Sequence, residues 1–222
     1  MTTMALPRPR RDSAIEGMMA KWYASNTAEM MKEYVDLARR IAGEVPQGSA
    51  VLEVAPGPGY FCFELARLGR YEITGLDLSR TFVNMAAKKA AEEGVKVNFQ
   101  QGSASNIPLP KNSFDFLLCR AAFKNFGKPV DALKEMCRVL KTGGRGLIID
   151  LKGDASPREI GRAVDEMHLS GFNRFLTWLA LTTFLLKRAY TRAQFEQMLA
   201  QAGFSSFEVA ESGMGLEISM VK

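Results

Sequence analysis

Short apolar runs alternate with longer amphipathic stretches through the middle of the chain. Runs at residues 50–55, 71–76, 95–100, 114–119 and 146–151 have the length and β-branched or aromatic content of buried strands. Between them, residues 60–68, 81–93 and 129–140 repeat apolar side chains every three to four positions, the spacing of helices packed on one face. Gly94 closes the second of these helices, and a Gly143-Gly144 break separates the third from its strand. Strands alternating with helices imply a parallel sheet covered on both faces.

The flanks read differently. Residues 15–23 form a short amphipathic segment, and residues 27–42 predict a helix with Met30, Met31, Tyr34, Leu37 and Ile41 along one stripe, ended by Gly43 and Pro46. Beyond the alternating core come a helical region at 157–187 and a helix at 191–202, where Thr191 and Gln194 have the spacing of a capping box. Strands at 207–211 and 216–221, separated by Ser212-Gly213-Met214-Gly215, read as a hairpin at the sheet edge. The expected fold is α/β: a Rossmann-like, seven-stranded, mostly parallel sheet with helices on both faces and an antiparallel C-terminal hairpin. A length of 222 residues suits one such domain. Its expected parts are a tail and N-terminal lid helix (1–26), a cofactor-binding core (48–151), a helical lid insertion (155–190) and the C-terminal helix and hairpin (191–222).

Composition narrows the function classes. The net charge is +5, but Lys and Arg are dispersed, and the one tight cluster, Arg8, Arg10 and Arg11, sits in a Pro-containing tail. The basic stripe with interleaved aromatics that favours nucleic acid is missing, so no nucleic-acid partner is expected. Cys62, Cys119 and Cys137 fit neither a disulfide framework nor a zinc spacing, which points to a reducing, cytoplasmic setting and no metal. The longest apolar stretch, 175–186, contains three threonines and is too short for a transmembrane helix.

The candidate chemistry lies at the first strand-turn-helix. Gly57 and Gly59 follow a buried strand and open a helix, where a backbone can come close to a nucleotide-like ligand. Asp77 ends the next strand, twenty residues after Gly57, where an acid can accept both hydroxyls of a ribose. In a dinucleotide motif the third glycine would fall at Cys62, and Glu53 would put an anion beside a pyrophosphate. An acid there suits an ammonium instead. S-adenosylmethionine carries both an amino group and a sulfonium.

The stretches 51–59, 75–79, 102–108 and 113–115, with Arg138-Val139-Leu140-Lys141-Thr142-Gly143-Gly144, resemble in order and spacing the class I S-adenosylmethionine-dependent methyltransferases. Within these they look most like the small-molecule group typified by ubiquinone and menaquinone biosynthesis methyltransferases. The resemblance covers residues 48–151 well and is loose outside them. It implies that Glu53 acts near the methionine amino group and that Gly57 and Gly59 pass close to the methionine moiety. It further implies that Asp77 binds the ribose, Leu78 packs on the adenine, and Ser103 and Ala104 lie along the adenine edge. Main-chain atoms near Cys119 and Arg120 would close the methionine end. Two residues depart from the family pattern: Ala55 stands at the usual first glycine, with Pro56 and Pro58 stiffening the loop, and Ser103 stands where an acid commonly reads the adenine amino group.

Methyl transfer is a displacement at an already activated carbon, so positioning and proton removal are the protein's tasks. His168, the single histidine, is the candidate general base. Tyr23 is a second catalytic candidate, with Arg120, Lys124 and Asn125 as further lining residues, although a solvated loop is the simpler reading of Lys124 and Asn125. Phe172, Phe175, Leu176, Trp178, Leu179, Leu181, Phe184 and Leu185 make an apolar region that reads either as a packed helix or as a lid over a small, mainly apolar or aromatic acceptor. Membrane contact through this region stays open, as does the oligomeric state. A cofactor-binding sensor or scaffold and an NAD-dependent oxidoreductase are the rival classes.

Overall fold

The computed structural model describes residues 12–27, 31–166, 171, 178, 179 and 181–222. Five strands, β1 (Ala50–Val54), β2 (Glu72–Asp77), β3 (Val97–Gln101), β4 (Phe114–Arg120) and β5 (Leu140–Leu151), pair in parallel. The hairpin of β6 (Ser206–Ser212) and β7 (Gly215–Val221) completes a seven-stranded sheet of order β3-β2-β1-β4-β5-β7-β6, with β7 antiparallel to β5. Around it lie α1 (Gly17–Thr27), α2 (Met31–Glu44), α3 (Tyr60–Leu68), α4 (Arg80–Glu93), α5 (Pro129–Val139), α6 (Pro157–Glu166) and α7 (Arg192–Leu199). The Rossmann-like fold expected from the hydrophobic pattern is the fold observed, and the Thr191–Gln194 capping box is formed.

All five residues of β1 are buried, as a central strand requires. Alternation along the strand sends Val51 toward α2 and α3, with Leu37, Ile41, Phe61 and Leu65, while Leu52 and Val54 join Leu133, Met136, Phe195 and Met198 of α5 and α7 on the opposite face. Glu53 shares the face of Val51. The chain builds outward from β1 to β3 on one side and from β4 on the other, so β1 and β4 meet at the topological switch point. A ligand crevice is expected outside their carboxyl ends.

Two expectations are corrected. β5 starts at Leu140 rather than after the glycine pair: Leu140 pairs with Phe114 and Arg145 with Phe116, and the intervening residues bulge through Gly143, whose φ is 75°. A bulge absorbs the extra residues without ending the strand. The helical region expected over 157–187 departs from regular α-helix at its described end. α6 is described over Pro157–Glu166, while residues Leu181–Leu185 wind as a π-helical turn and Leu186–Arg188 as a 3₁₀ turn. Winding by five residues per hydrogen-bonded step brings Leu181 and Leu186 to the same side, where both pack with Ile160, Val164 and Met214. Among the described residues, no helix is long and apolar enough to cross a membrane.

Candidate functional site

The loop after β1 is built on left-handed backbone. Ala55, Gly57 and Gly59 have φ of 59°, 55° and 84°. Ala55 therefore keeps the conformation a glycine would adopt, at a cost of about 1–2 kcal/mol for an L-residue with a Cβ, and its N–H donates to the Leu76 carbonyl at 2.7 Å. Ala121, the residue after β4, has φ 56° and donates to the Ile149 carbonyl at 2.7 Å. The two central strands thus end in matched strained alanines on either side of the crevice, and backbone strain of this kind concentrates at functional sites. A Cβ on Gly59 would sit 2.8 Å from Phe99 Cζ, so its absence is required by packing beneath the loop as well as by φ. Gly57 is the glycine that faces the open side, where Tyr23 Cε1 lies 4.0 Å from the place its Cβ would occupy.

Two buried carboxylates frame this loop. Asp77, at the end of β2, is 8% exposed; its Oδ2 accepts the Gly57 N–H at 2.9 Å and its Oδ1 accepts the Ser79 N–H at 2.8 Å. Each oxygen keeps a lone pair for a hydroxyl donor, which fits a ribose diol. Burial pushes its carboxyl above the ordinary value, against the pull of the two N–H groups. Glu53 is 2% exposed, and its Oε2 accepts the Cys62 thiol at 2.9 Å. Burial raises it to about 7, opposed by that thiol and by Arg120. Among the described residues no Lys or Arg reaches ion-pair distance of Glu53, Arg120 acting on it only from further off, so a buried acid is left without a directly paired cation, which fits an arriving ammonium. Cys62, the position where a dinucleotide motif has its third glycine, instead places its thiol under Glu53.

Arg120 ends β4 on the Glu53 side of the sheet. It pairs with Glu33 of α2, and its guanidinium lies 4.4 Å from the centre of the Tyr34 ring. Cys119 points its side chain into the core, so only its main chain can line the crevice. Tyr23 on α1 stacks edge-on against Phe82 at 5.8 Å, and burial pushes its hydroxyl above the ordinary value, which keeps it protonated at neutral pH. The same helix is tied to the loop by Tyr60, whose hydroxyl donates to the Ala24 carbonyl at 2.6 Å.

Lys124 corrects the solvated-loop reading. It is 6% exposed, its Nζ lying 2.8 Å from Asp150 Oδ1 and 2.6 Å from the Ala121 carbonyl, and its N–H donates to Asp150 Oδ2 at 2.9 Å. This ion pair fixes the turn at Phe123–Asn125 and the strained Ala121 to β5. Asn125 is exposed, as a solvated loop requires. His168 lies outside the described residues, as do Phe172, Phe175 and Leu176 of the apolar region.

Sequence reasoning missed the segment at 12–16. Asp12 accepts the Ser103 hydroxyl at 2.7 Å and the Gly127 N–H at 2.7 Å. The Ile15 carbonyl accepts the Ser79 hydroxyl at 2.6 Å, and Glu16 accepts the N–H groups of Arg80 and Thr81 at the start of α4. Expected as part of a tail, these residues cross the carboxyl ends of β2 and β3. Their partners lie 64 to 115 positions away. Leu78, Ser103 and Ala104, between these anchors, are each half-buried.

A glycine loop between β1 and α3, an acid ending β2 and an antiparallel β7 define the class I, Rossmann-like methyltransferase fold. Residues 52–148 match the family model described as a methyltransferase domain. Over 107 residues the chain is 37% identical to a demethylmenaquinone methyltransferase of Deinococcus radiodurans, covering 48% of this chain and 44% of that protein. It is 34% identical over 104 residues to a ubiquinone/menaquinone biosynthesis C-methyltransferase of Bdellovibrio bacteriovorus, covering 46% and 44%. The matched stretch is therefore less than half the length of these curated relatives. A Methanococcus maripaludis protein provisionally classed with the S-adenosylmethionine-dependent methyltransferases shares the fold at TM-score 0.75 and 20% identity, covering 97% of both chains.

Proposed function

We propose that the protein transfers a methyl group from S-adenosylmethionine to a small, mainly apolar or aromatic acceptor. The observation that carries this reading is the pair of buried carboxyl groups at neighbouring strand ends, Asp77 with two lone pairs free for a diol and Glu53 with no Lys or Arg at ion-pair distance among the described residues. In this reading Asp77 holds the ribose and Glu53 the methionine ammonium, with Gly57 and Gly59 passing close to the methionine chain. Leu78 lies against the base, Ser103 and Ala104 along its edge, and the main chain at Cys119 and Arg120 at the methionine end. When bound, the donor supplies a methyl carbon already activated by its sulfonium. The chain's own tasks are then to orient that carbon, to exclude water and to remove a proton from the acceptor. Tyr23, protonated and set against the glycine loop, is a positioning donor rather than a base, and the base role falls to His168.

The apolar character of the acceptor is supported by α1, which exposes Met18, Met19 and Trp22 at 86%, 70% and 69% on the helix that carries Tyr23. It is supported also by the relatives, one named for demethylmenaquinone and the other for ubiquinone/menaquinone biosynthesis. A quinol is the first acceptor to test, followed by phenols, amines and thiols. Calorimetry with S-adenosylmethionine and S-adenosylhomocysteine tests the donor half: binding of both is expected, and binding of NADH with neither would turn the reading to an oxidoreductase. Product detection across the acceptor panel tests the second half, with binding but no transfer favouring a sensor. Asp77→Ala is expected to weaken S-adenosylhomocysteine about 10- to 100-fold, since hydrogen bonds to a charged acceptor are worth about 1.5–3 kcal/mol. Full affinity in that variant would show that the ribose is held elsewhere.

A further inference from the structure

We propose that Asp12 reads the base of the bound nucleoside: its carboxylate, clamped at the crevice mouth by Ser103 and Gly127, accepts the exocyclic amino group of a 6-aminopurine. The inference rests on the nucleoside site proposed above and adds to it a recognition residue from outside the cofactor-binding core.

The geometry follows from Asp77. A ribose held at the end of β2 directs its methionine chain toward the loop after β1, where Glu53 lies. The base must then leave in the other direction, toward β3 and the loop that follows it. Gly102 continues that strand directly beside Asp77, its N–H donating to the Asp77 carbonyl at 2.9 Å, and Ser103 is the next residue. The loop offers no acid of its own. Ser103 and Ser105 supply hydroxyls, and Ser103 Oγ accepts the Ser105 N–H at 3.1 Å while donating to Asp12 Oδ2 at 2.7 Å. The carboxylate bonded to this loop is that of Asp12.

Asp12 is held in place from both sides of the crevice. Its Oδ1 accepts the Gly127 N–H ahead of α5, and three residues later the Ile15 carbonyl accepts the Ser79 hydroxyl at the start of α4. Three residue steps reach at most about 11 Å, so the segment is a short bridge between the loops flanking the base position, about the span of a purine. Glu16 completes the anchor by accepting the Arg80 and Thr81 N–H groups at the α4 N-terminus, where a negative charge is favoured. A carboxylate has about four acceptor sites, and Asp12 accepts from Ser103 and Gly127 and, at the long distance of 3.5 Å, from the Ser105 hydroxyl, leaving capacity for an amino donor. A 6-oxopurine would instead present a carbonyl oxygen to this anion, an acceptor facing an acceptor.

The test compares S-adenosylhomocysteine with S-inosylhomocysteine, its 6-oxo counterpart, by calorimetry on the full chain. The wild type should prefer the adenosyl compound by at least tenfold. Asp12→Asn should bring the ratio toward unity, because an amide can donate to the 6-oxo group as readily as it accepts from the 6-amino group, and Asp12→Ala should also collapse it. Melting temperature and Tyr60-dependent docking of α1, followed by near-ultraviolet circular dichroism, confirm that the variants are folded. Equal loss of affinity for both compounds, with the wild-type ratio kept, would make Asp12 a structural clamp and overturn the proposal. Failure of the wild type to bind S-adenosylhomocysteine would overturn the nucleoside site itself, an outcome separate from an unchanged ratio in the variants.

Discussion

At the residue scale, the most consequential group is Glu53. Its ordinary value near 4.5 is raised to about 7 because burial penalises the charged form. A carboxyl raised by folding is favoured when protonated, so in the ligand-free protein its stabilising contribution is complete below pH 4.5 and is lost as the pH rises through 7. A bound ammonium reverses the preference by stabilising the carboxylate. Affinity for S-adenosylmethionine should therefore fall by up to tenfold per pH unit below 7, with a proton released on binding. Calorimetry at pH 6 in buffers of different ionisation enthalpy measures that proton, and Glu53→Gln should abolish both the release and the slope. Persistence of the slope in the variant would assign it to another group. Glu53 was legible in the sequence because a single acid in an apolar strand stands out. Asp12 was not legible, because nothing local marks it and its partners arrive from residues 103 and 127.

At the scale of elements, the strands and helices of the core followed from hydrophobic spacing, since β1 is buried on both faces and the helices bury one stripe each. Three features escaped that pattern for distinct reasons. The start of β5 hides behind Gly143-Gly144, which reads as a break although the chain only bulges there. The π and 3₁₀ turns of 181–188 keep the apolar content of a helix while changing its winding. Lys124 looks like a solvated loop residue until β5 brings Asp150 alongside it. The Lys124–Asp150 pair couples the end of β4 to β5, and its side chains are 7% and 1% exposed. Removing one partner from a buried pair leaves an uncompensated charge, so Asp150→Ala should lower unfolding stability by about 3–5 kcal/mol. Denaturant unfolding checks this, and replacing both residues by Met and Leu should recover much of the loss. A loss under 1 kcal/mol for the single variant would show that the pair is hydrated in solution.

At the scale of the whole molecule, the proposed cofactor site would join parts that a ligand would hold together: the loops after β1, β2, β3 and β4, and the segment 12–16. Ligand at one hundred times its dissociation constant adds about 2.7 kcal/mol, and for a chain of this size each kcal/mol moves the melting temperature by about 2–4 °C. S-adenosylhomocysteine should thus raise the melting point by about 5–10 °C in a thermal shift assay, and NADH should leave it unchanged. The antiparallel β7 has a practical consequence for such measurements. It runs back along β5 so that Val221 pairs with Arg145, and Lys222 is fastened by hydrogen bonds to Asn112 and to the Arg138 and Leu140 carbonyls. A fluorophore or immobilisation tag joined at residue 222 therefore leaves from the floor of the molecule, opposite the crevice, and does not meet an arriving ligand.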